Sequence, residues 1–364
     1  MILSPLSSLL FAAASTLVVP ATGSGVFDRE LHRIGEGVYV VVRPDVFRQP
    51  VEPNIGFVVS ERDVLVIDTG GGRASAESAL RLLRQVTDKP VRYIVNTHWH
   101  GDHNLGNAVF LGAFPGAEVI SQSRTARDIS SQNIGIELYI PQMEQAVAGL
   151  KKGIETGKDD QGQPLPADRL ARWKAAVPDV EAGLLEYRRA KIERPSLTFD
   201  DGLTLRRGER EIQVRFLGRA NTEGDAVVWL PQERILFSGD VVVSPLPYGF
   251  GSYPKEWLET LDKLIALDFA TLVPGHGDVQ QDASYVRQLQ ALIRKVQADV
   301  GAAAAQGATL EQARERLDLG PLAGQFTGGD ARRQALFDAW FVQPFSSSAY
   351  KEAKGQPIVQ GARE

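Results

Sequence analysis

From Gly37 onward the chain reads as short runs of aliphatic and β-branched residues, VYVVVRP, NIGFVVS and DVLVIDTGGG, each bounded by turn formers. Runs of that length predict neighbouring strands of one sheet. Between Ala74 and Val86 the apolar positions fall at helical spacing instead, and Lys89-Pro90 closes the stretch before the next apolar run, VRYIVNT. From about Ser123 to Arg194 the chain turns rich in Ala, Leu, Gln, Glu, Lys and Arg, with a polar break at GKDDQGQPLP. This predicts two helical pieces around a loop. Strand-like segments resume as SLTFDDGLTLRRGEREIQVRFLG, AVVWLP and RILFSGDVVV, with DDG as a turn signal. Beyond the turn at Pro274 to Gly277 the pattern is helical from about Ala283 to Leu317 and again near Ala331 to Phe341.

Sheet segments followed by helix, twice over, suit two sheets packed face to face with helices outside, an α+β arrangement. No fixed-period repeat interrupts it. The expected division is an N-terminal segment 1–25, a main domain 26–280 with a helical insertion at about 123–194, C-terminal helices 281–345 on the same domain, and a loosely held tail 346–364. With 364 residues and 43% hydrophobic content there is enough apolar material for a large core.

The charge balance, 40 Lys and Arg against 45 Asp and Glu for a net charge of -5, offers no basic field to collect phosphates, so no nucleic-acid partner is expected. The absence of cysteine removes disulfides, thiolate ligands and a thiol nucleophile. Any metal must be held by His, Asp, Asn or Glu. The opening MILSPLSSLLFAAASTLVVPATGSG is apolar, ends in small residues and resembles a secretory signal cleaved near Ala21. It has no Lys or Arg ahead of its apolar part, and its serines and Pro20 leave the run short for a membrane span. A periplasmic or secreted protein, free of the membrane after cleavage, is the expectation.

Three of the five histidines fall within the six residues His98-Trp99-His100-Gly101-Asp102-His103, directly after VRYIVNT. A lone histidine would read as a loop or capping residue, but clustered His and Asp point to metal. Ligand atoms must converge on an ion at about 2.0–2.2 Å, which a loop at a strand end can arrange. His98 and His100, two residues apart, can point the same way while Asp102 and His103 turn to a neighbouring position. One loop can then serve two ions. His32 fits no motif and reads as a surface residue.

HWHGDH resembles the HxHxDH motif of the metallo-β-lactamase superfamily. VLVIDTGGG, LFSGDVVV and LVPGHGD resemble three further family segments in the same order, over roughly Gly37 to Asp278. The resemblance implies an αββα sandwich with metals at one edge between the sheets. It implies a first metal on His98 and His100, a second on Asp102, His103 and His276, and Asp240 bridging the two. Asp68 would support the loop by hydrogen bonds without ligating. The family's GxxHTxGD segment reads here Gly218-Arg219-Ala220-Asn221-Thr222-Glu223-Gly224-Asp225, with Asn221 at the histidine place. An amide oxygen is a weaker, harder, neutral donor, so the first site would hold zinc weakly, stay empty, or take manganese or iron. Two ions of unequal affinity are expected.

The implied chemistry is hydrolysis of an ester, lactone or amide, a β-lactam included, by a metal-activated hydroxide, with Asp102 as the catalytic side chain that orients it and helps to move protons. The alternative is a catalytically weak or inactive metal-binding member. Asp240 stands where lactamases of the superfamily usually carry Cys or Ser, which favours a broad hydrolase of small molecules. The aromatic run Pro247 to Tyr253 is a candidate pocket wall or packs against outer helices. The insertion could cover the pocket or form a homodimer surface.

Overall fold

Continuous apolar runs such as IGFVV and VLVI make strands that are buried on both faces, and they form the middle of the first sheet in a computed structural model that describes residues 18–19, 25–131 and 134–359. This sheet has eight strands in chain order: β1 (Val18–Val19), β2 (Glu30–Gly35), β3 (Val38–Val42), β4 (Ile55–Val59), β5 (Val64–Ile67), β6 (Val91–Val95), β7 (Glu118–Gln122) and β8 (Leu197–Phe199). Pairing is antiparallel from β1 to β5 and parallel from β5 to β8. Helix α1 (Arg73–Val86) makes the crossover from β5 to β6 and buries Ala76, Ala79, Leu82 and Leu83 against the outer face, as its apolar spacing predicts. Two short helices, α2 (Gly101–Asn104) and α3 (Asn107–Ala113), follow β6. The insertion is α4 (Ser123–Ser131), α5 (Ile134–Thr156) and α6 (Ala167–Arg189).

The second sheet holds β9 (Gly202–Arg207), β10 (Arg210–Phe216), β11 (Ala226–Leu230), β12 (Ile235–Phe237) and β13 (Thr271–Val273), in the order β13-β12-β11-β10-β9. Helix α7 (Pro254–Ile265) links its last two strands, which pair in parallel. Five further helices complete the outer layer: α8 (Ser284–Ala305), α9 (Leu310–Glu315), α10 (Gly320–Thr327), α11 (Ala331–Phe337) and α12 (Gln343–Ala353). Val38, Val40, Leu65 and Ile67 of one sheet and Val214, Val228 and Phe237 of the other share a single core. The contact is close: a Cβ on Gly56 would stand 2.6 Å from the Phe237 ring. Separate apolar layers lie outside each sheet. The architecture is the expected α+β sandwich of helix, sheet, sheet and helix.

The C-terminal region departs from its sequence reading. The single helical stretch expected to Leu317 breaks at Gly307, where φ is +82°, and restarts at Thr309, whose hydroxyl and the Gln312 side chain form a capping box. Residues 346–353 are not loosely held. They belong to α12, where Ser346, Ser347 and Ser348 are buried. The cause is a ladder of aromatic rings four residues apart, with Phe337 to Phe341 at 5.7 Å and Phe341 to Phe345 at 4.7 Å, which draws the following serines inward. His32, read from the sequence as a surface residue, lies half-buried in β2 beside Glu30 at 3.2 Å. The segment read as a signal lies outside the described residues except for Val18–Val19. Among the described residues, no helix is long and apolar enough to cross a membrane.

Candidate metal centre

The HWHGDH loop leaves β6 and is pinned from behind before any of its histidines reaches the site. At the end of β5, Asp68 takes a left-handed conformation, φ +57°. Its carboxylate accepts from Thr97 N at 2.9 Å and Thr97 Oγ1 at 2.8 Å, and lies 2.7 Å from His103 Nδ1. His276 Nδ1 donates to the Glu52 carbonyl at 3.0 Å, and His98 Nδ1 sits 3.1 Å from Thr97 Oγ1, a hydroxyl already donating to Asp68. With Nδ1 placed to donate on all three rings, Nε2 is the nitrogen whose lone pair each would offer to a metal once it carries no proton.

Those lone pairs converge. His98, His100 and Asp240 form one cluster and Asp102, His103 and His276 another, with the ligand atoms within each all inside 4.8 Å of one another. Asp240 joins the two through different oxygens. Its Oδ2 lies 3.5 Å from His98 Nε2 and 3.9 Å from His100 Nδ1, whereas Oδ1 lies 3.3 Å from His103 Nε2 and 3.5 Å from His276 Nε2. His276 Nε2 also stands 3.2 Å from Asp102 Oδ2 and 3.2 Å from His103 Nε2. Six of the seven residues expected to ligate thus meet across the edge between the sheets. The seventh, Asn221, is fully buried; its Nδ2 donates to the Tyr248 carbonyl at 3.0 Å, and its Oδ1 has no hydrogen-bond partner.

These residues fit a pair of cations. His98 Nε2 and Asp240 Oδ1 are buried without a hydrogen bond, and two imidazole nitrogens face each other at 3.2 Å. A buried polar atom left unpaired costs about 1–3 kcal/mol, and a ligated ion would relieve that cost. The donor set of nitrogen and oxygen suits zinc, manganese or iron. Burial opposes a charge on His103, yet Asp240, Asp68 and Asp102 raise it well above its usual range, so a bound ion would take the place of its Nε2 proton. Burial and the neighbouring His103 push His98 well below its usual range, towards the neutral form. Burial opposes a charge on Asp102, yet His103 and His276 hold its carboxyl below the ordinary range; Asp240 is likewise held down against its burial by His103, His276 and His98. Burial pushes the Asp225 carboxyl up to about 7, although Thr222 and Ala220 donate to it.

Sequence reasoning missed the residues that hold the last histidine. Asn54 N donates to Gly275 O at 2.7 Å, and its side chain donates to Pro274 O and Gly277 O at 2.9 and 2.8 Å. Glu52 supplies the carbonyl under His276, while its buried carboxylate binds Arg29 and accepts from Ser75 at 2.7 Å. Three polar or turn-forming residues, Glu52-Pro53-Asn54, ahead of an apolar strand were the available signal.

Residues 48–276 match the model of the metallo-beta-lactamase superfamily. The chain belongs to this superfamily. Among curated members it is 26% identical over 245 residues to a linear primary-alkylsulfatase of a Pseudomonas species, covering 64% of this chain and 42% of that one. It is 24% identical over 234 residues to a type 2 metallo-beta-lactamase of Bacteroides fragilis, covering 63% and 70%. The chain therefore spans less than half of the alkylsulfatase. A solved metallo-beta-lactamase from Pontibacter korlensis superposes with a TM-score of 0.49 at 21% identity, over 73% of this chain and 99% of the other. Members of the superfamily usually bind divalent metals, and membership makes this a protein of a metallo-hydrolase family.

A cavity of about 960 Å³ opens from His100, Asp102 and Asp240. Tyr248 and Phe250 of the aromatic run line it, whereas Tyr253 stacks under Arg219 at 4.2 Å. Helices α5 and α6 form much of the remaining wall, so the insertion lines the pocket.

Proposed function

We propose that this protein is a hydrolase that works with two divalent ions, zinc foremost, and cleaves an ester or lactone, with amides as weaker substrates. The observation that carries the reading is Asp240, which presents one oxygen to each cluster at the floor of the cavity. Ions bound there would lower the pKa of water and polarise the scissile bond. His98 and His100 would hold the first ion, with Asn221 as a weaker donor, and Asp102, His103 and His276 the second. Asp102 also lines the cavity and its side chain is 13% exposed. With its proton affinity held low, it accepts a hydrogen bond from the attacking water and orients it without keeping the proton. Asp68 keeps His103 in register through the 2.7 Å contact. The name of the Pseudomonas relative extends the ester class to sulfate esters.

The test is metal analysis of the purified protein together with turnover of p-nitrophenyl esters, alkyl sulfates, lactones and nitrocefin in zinc and in manganese. The expected result is bound metal of unequal occupancy and ester or lactone turnover that D102A abolishes rather than weakens through a raised KM. Metal-loaded protein inactive on every substrate would favour the inactive metal-binding alternative, and protein that is metal-free and inactive under all conditions would overturn the reading. Full activity of D102A with its metal intact would remove the role given to that carboxylate.

A further inference from the structure

We propose that the substrate carries an extended apolar tail, laid along the groove that helix α5 builds away from the metal clusters. The lining residues of α5 recur at helical spacing, among them Gln142, Met143, Ala146, Gly149 and Gly153. They belong to one face that runs from Tyr139 at the metal end to Thr156 at the far end, ~25 Å at the rise of an α-helix. Small residues hollow the middle of that face. A Cβ on Gly149 would meet nothing within 4 Å. Charge gathers towards the two ends, with Lys152 of α5 and Asp160 on the far side. His100, Asp102 and Asp240 stand at one, and Lys158, Asp159 and Arg169 at the other, with Arg169 and Asp159 paired at 3.8 Å. Between them the walls are Met143, Leu150, Val180, Phe250 and Trp340.

Phe250 is 41% exposed, one of three large hydrophobic side chains so exposed among the described residues, and it faces this groove. Exposed apolar surface collected along a cleft is the mark of a binding site. The wall is fixed rather than loosely attached: Arg48 pairs with Asp179 at 2.7 Å and Glu186 accepts from Ala74 N at 2.7 Å, tying α6 to the sandwich. A compact bicyclic substrate would use only the metal end of a cavity of about 960 Å³. A linear tail uses its length, and the mixed charges at the far end leave that exit solvated without selecting a charge on the tail.

The inference rests on the hydrolase reading for the headgroup, but the tail can be tested without turnover. The probes are acetate, hexanoate and decanoate below their micellar concentrations, titrated against the full-length protein with its metal bound and followed by fluorescence of Trp173 and Trp340. Affinity should rise about threefold to fourfold for each added methylene until the groove is filled. G149F places a ring in the open middle of the groove, at a helical position where Phe is a better helix former than Gly. It should lower the decanoate-to-acetate affinity ratio at least tenfold, G149A should preserve that ratio, and A146W should repeat the block if G149F does not fold. Affinity independent of tail length, or a length dependence untouched by both blocking variants, would overturn the proposal. A length-dependent affinity in a protein that hydrolyses nothing in any metal would leave the tail site standing and defeat the hydrolase reading. Turnover with flat tail binding would do the reverse.

Discussion

Asp240 carries more of the centre than any other side chain, because its two oxygens face different histidine pairs. Asn221 is the contrasting case, its amide nitrogen committed to the Tyr248 carbonyl and its oxygen left as the only donor it has to give. If it stands at a ligand position, replacing that oxygen with an imidazole nitrogen should favour zinc. N221H is therefore expected to tighten the weaker zinc site by about tenfold or more, on the order of 1.4 kcal/mol, in competition with a chelating dye. An unchanged pair of affinities would show that position 221 is not a ligand. The HWHGDH cluster was legible in the sequence from its density of His and Asp, whereas Asp240 and His276 were legible only through the resemblance of their segments to those of the family. Glu52 and Asn54 were not, since they act largely through a backbone carbonyl and through hydrogen bonds to a loop more than two hundred residues away. No local spacing encodes such a contact.

The elements that deliver these side chains are strand ends and short turns, and their tightness matters as much as their chemistry. Gly275 is the sharpest instance: a Cβ there would fall 2.0 Å from Asp240 Oδ1 and 2.8 Å from the Gly239 carbonyl carbon. G275A should push the bridging carboxylate aside, lower metal content and destabilise the fold by roughly 1–3 kcal/mol. Urea unfolding and metal analysis of the variant check this, and native stability with full metal would refute the tight-packing argument. Strands β4 and β5 could be read from their continuous apolar runs, and α1 from its spacing. Helix α12 could not. Its three serines look solvent-facing until the aromatic ladder from Phe337 to Phe345 is known to turn them inward.

At the scale of the whole molecule the two sheets are joined by a shared apolar core and, at one edge, by the clustered ligands. His98, His100 and His103 follow the first sheet's β6, while Asp240 and His276 follow strands of the second. Ions held there would bind the folded state alone, so chelation should lower the thermal midpoint. A free ion at a thousandfold excess over its Kd contributes about 4 kcal/mol. A melting temperature indifferent to EDTA and to added zinc would show that the centre does not clamp the sheets. The two-sheet plan was readable from the alternation of strand and helix signals; the groove was not, because its walls come together from α5, the aromatic run and the C-terminal helices only after folding.

The span of chain between ligands has a consequence for biogenesis. His276 lies 173 residues beyond the His103 it faces. A nascent chain still on the ribosome holds the HWHGDH loop for 173 of its 364 residues of synthesis without the partner that completes the second cluster. The finished centre can therefore assemble only once nearly the whole sandwich has been translated, and a prematurely terminated product, however well its first sheet forms, would lack it.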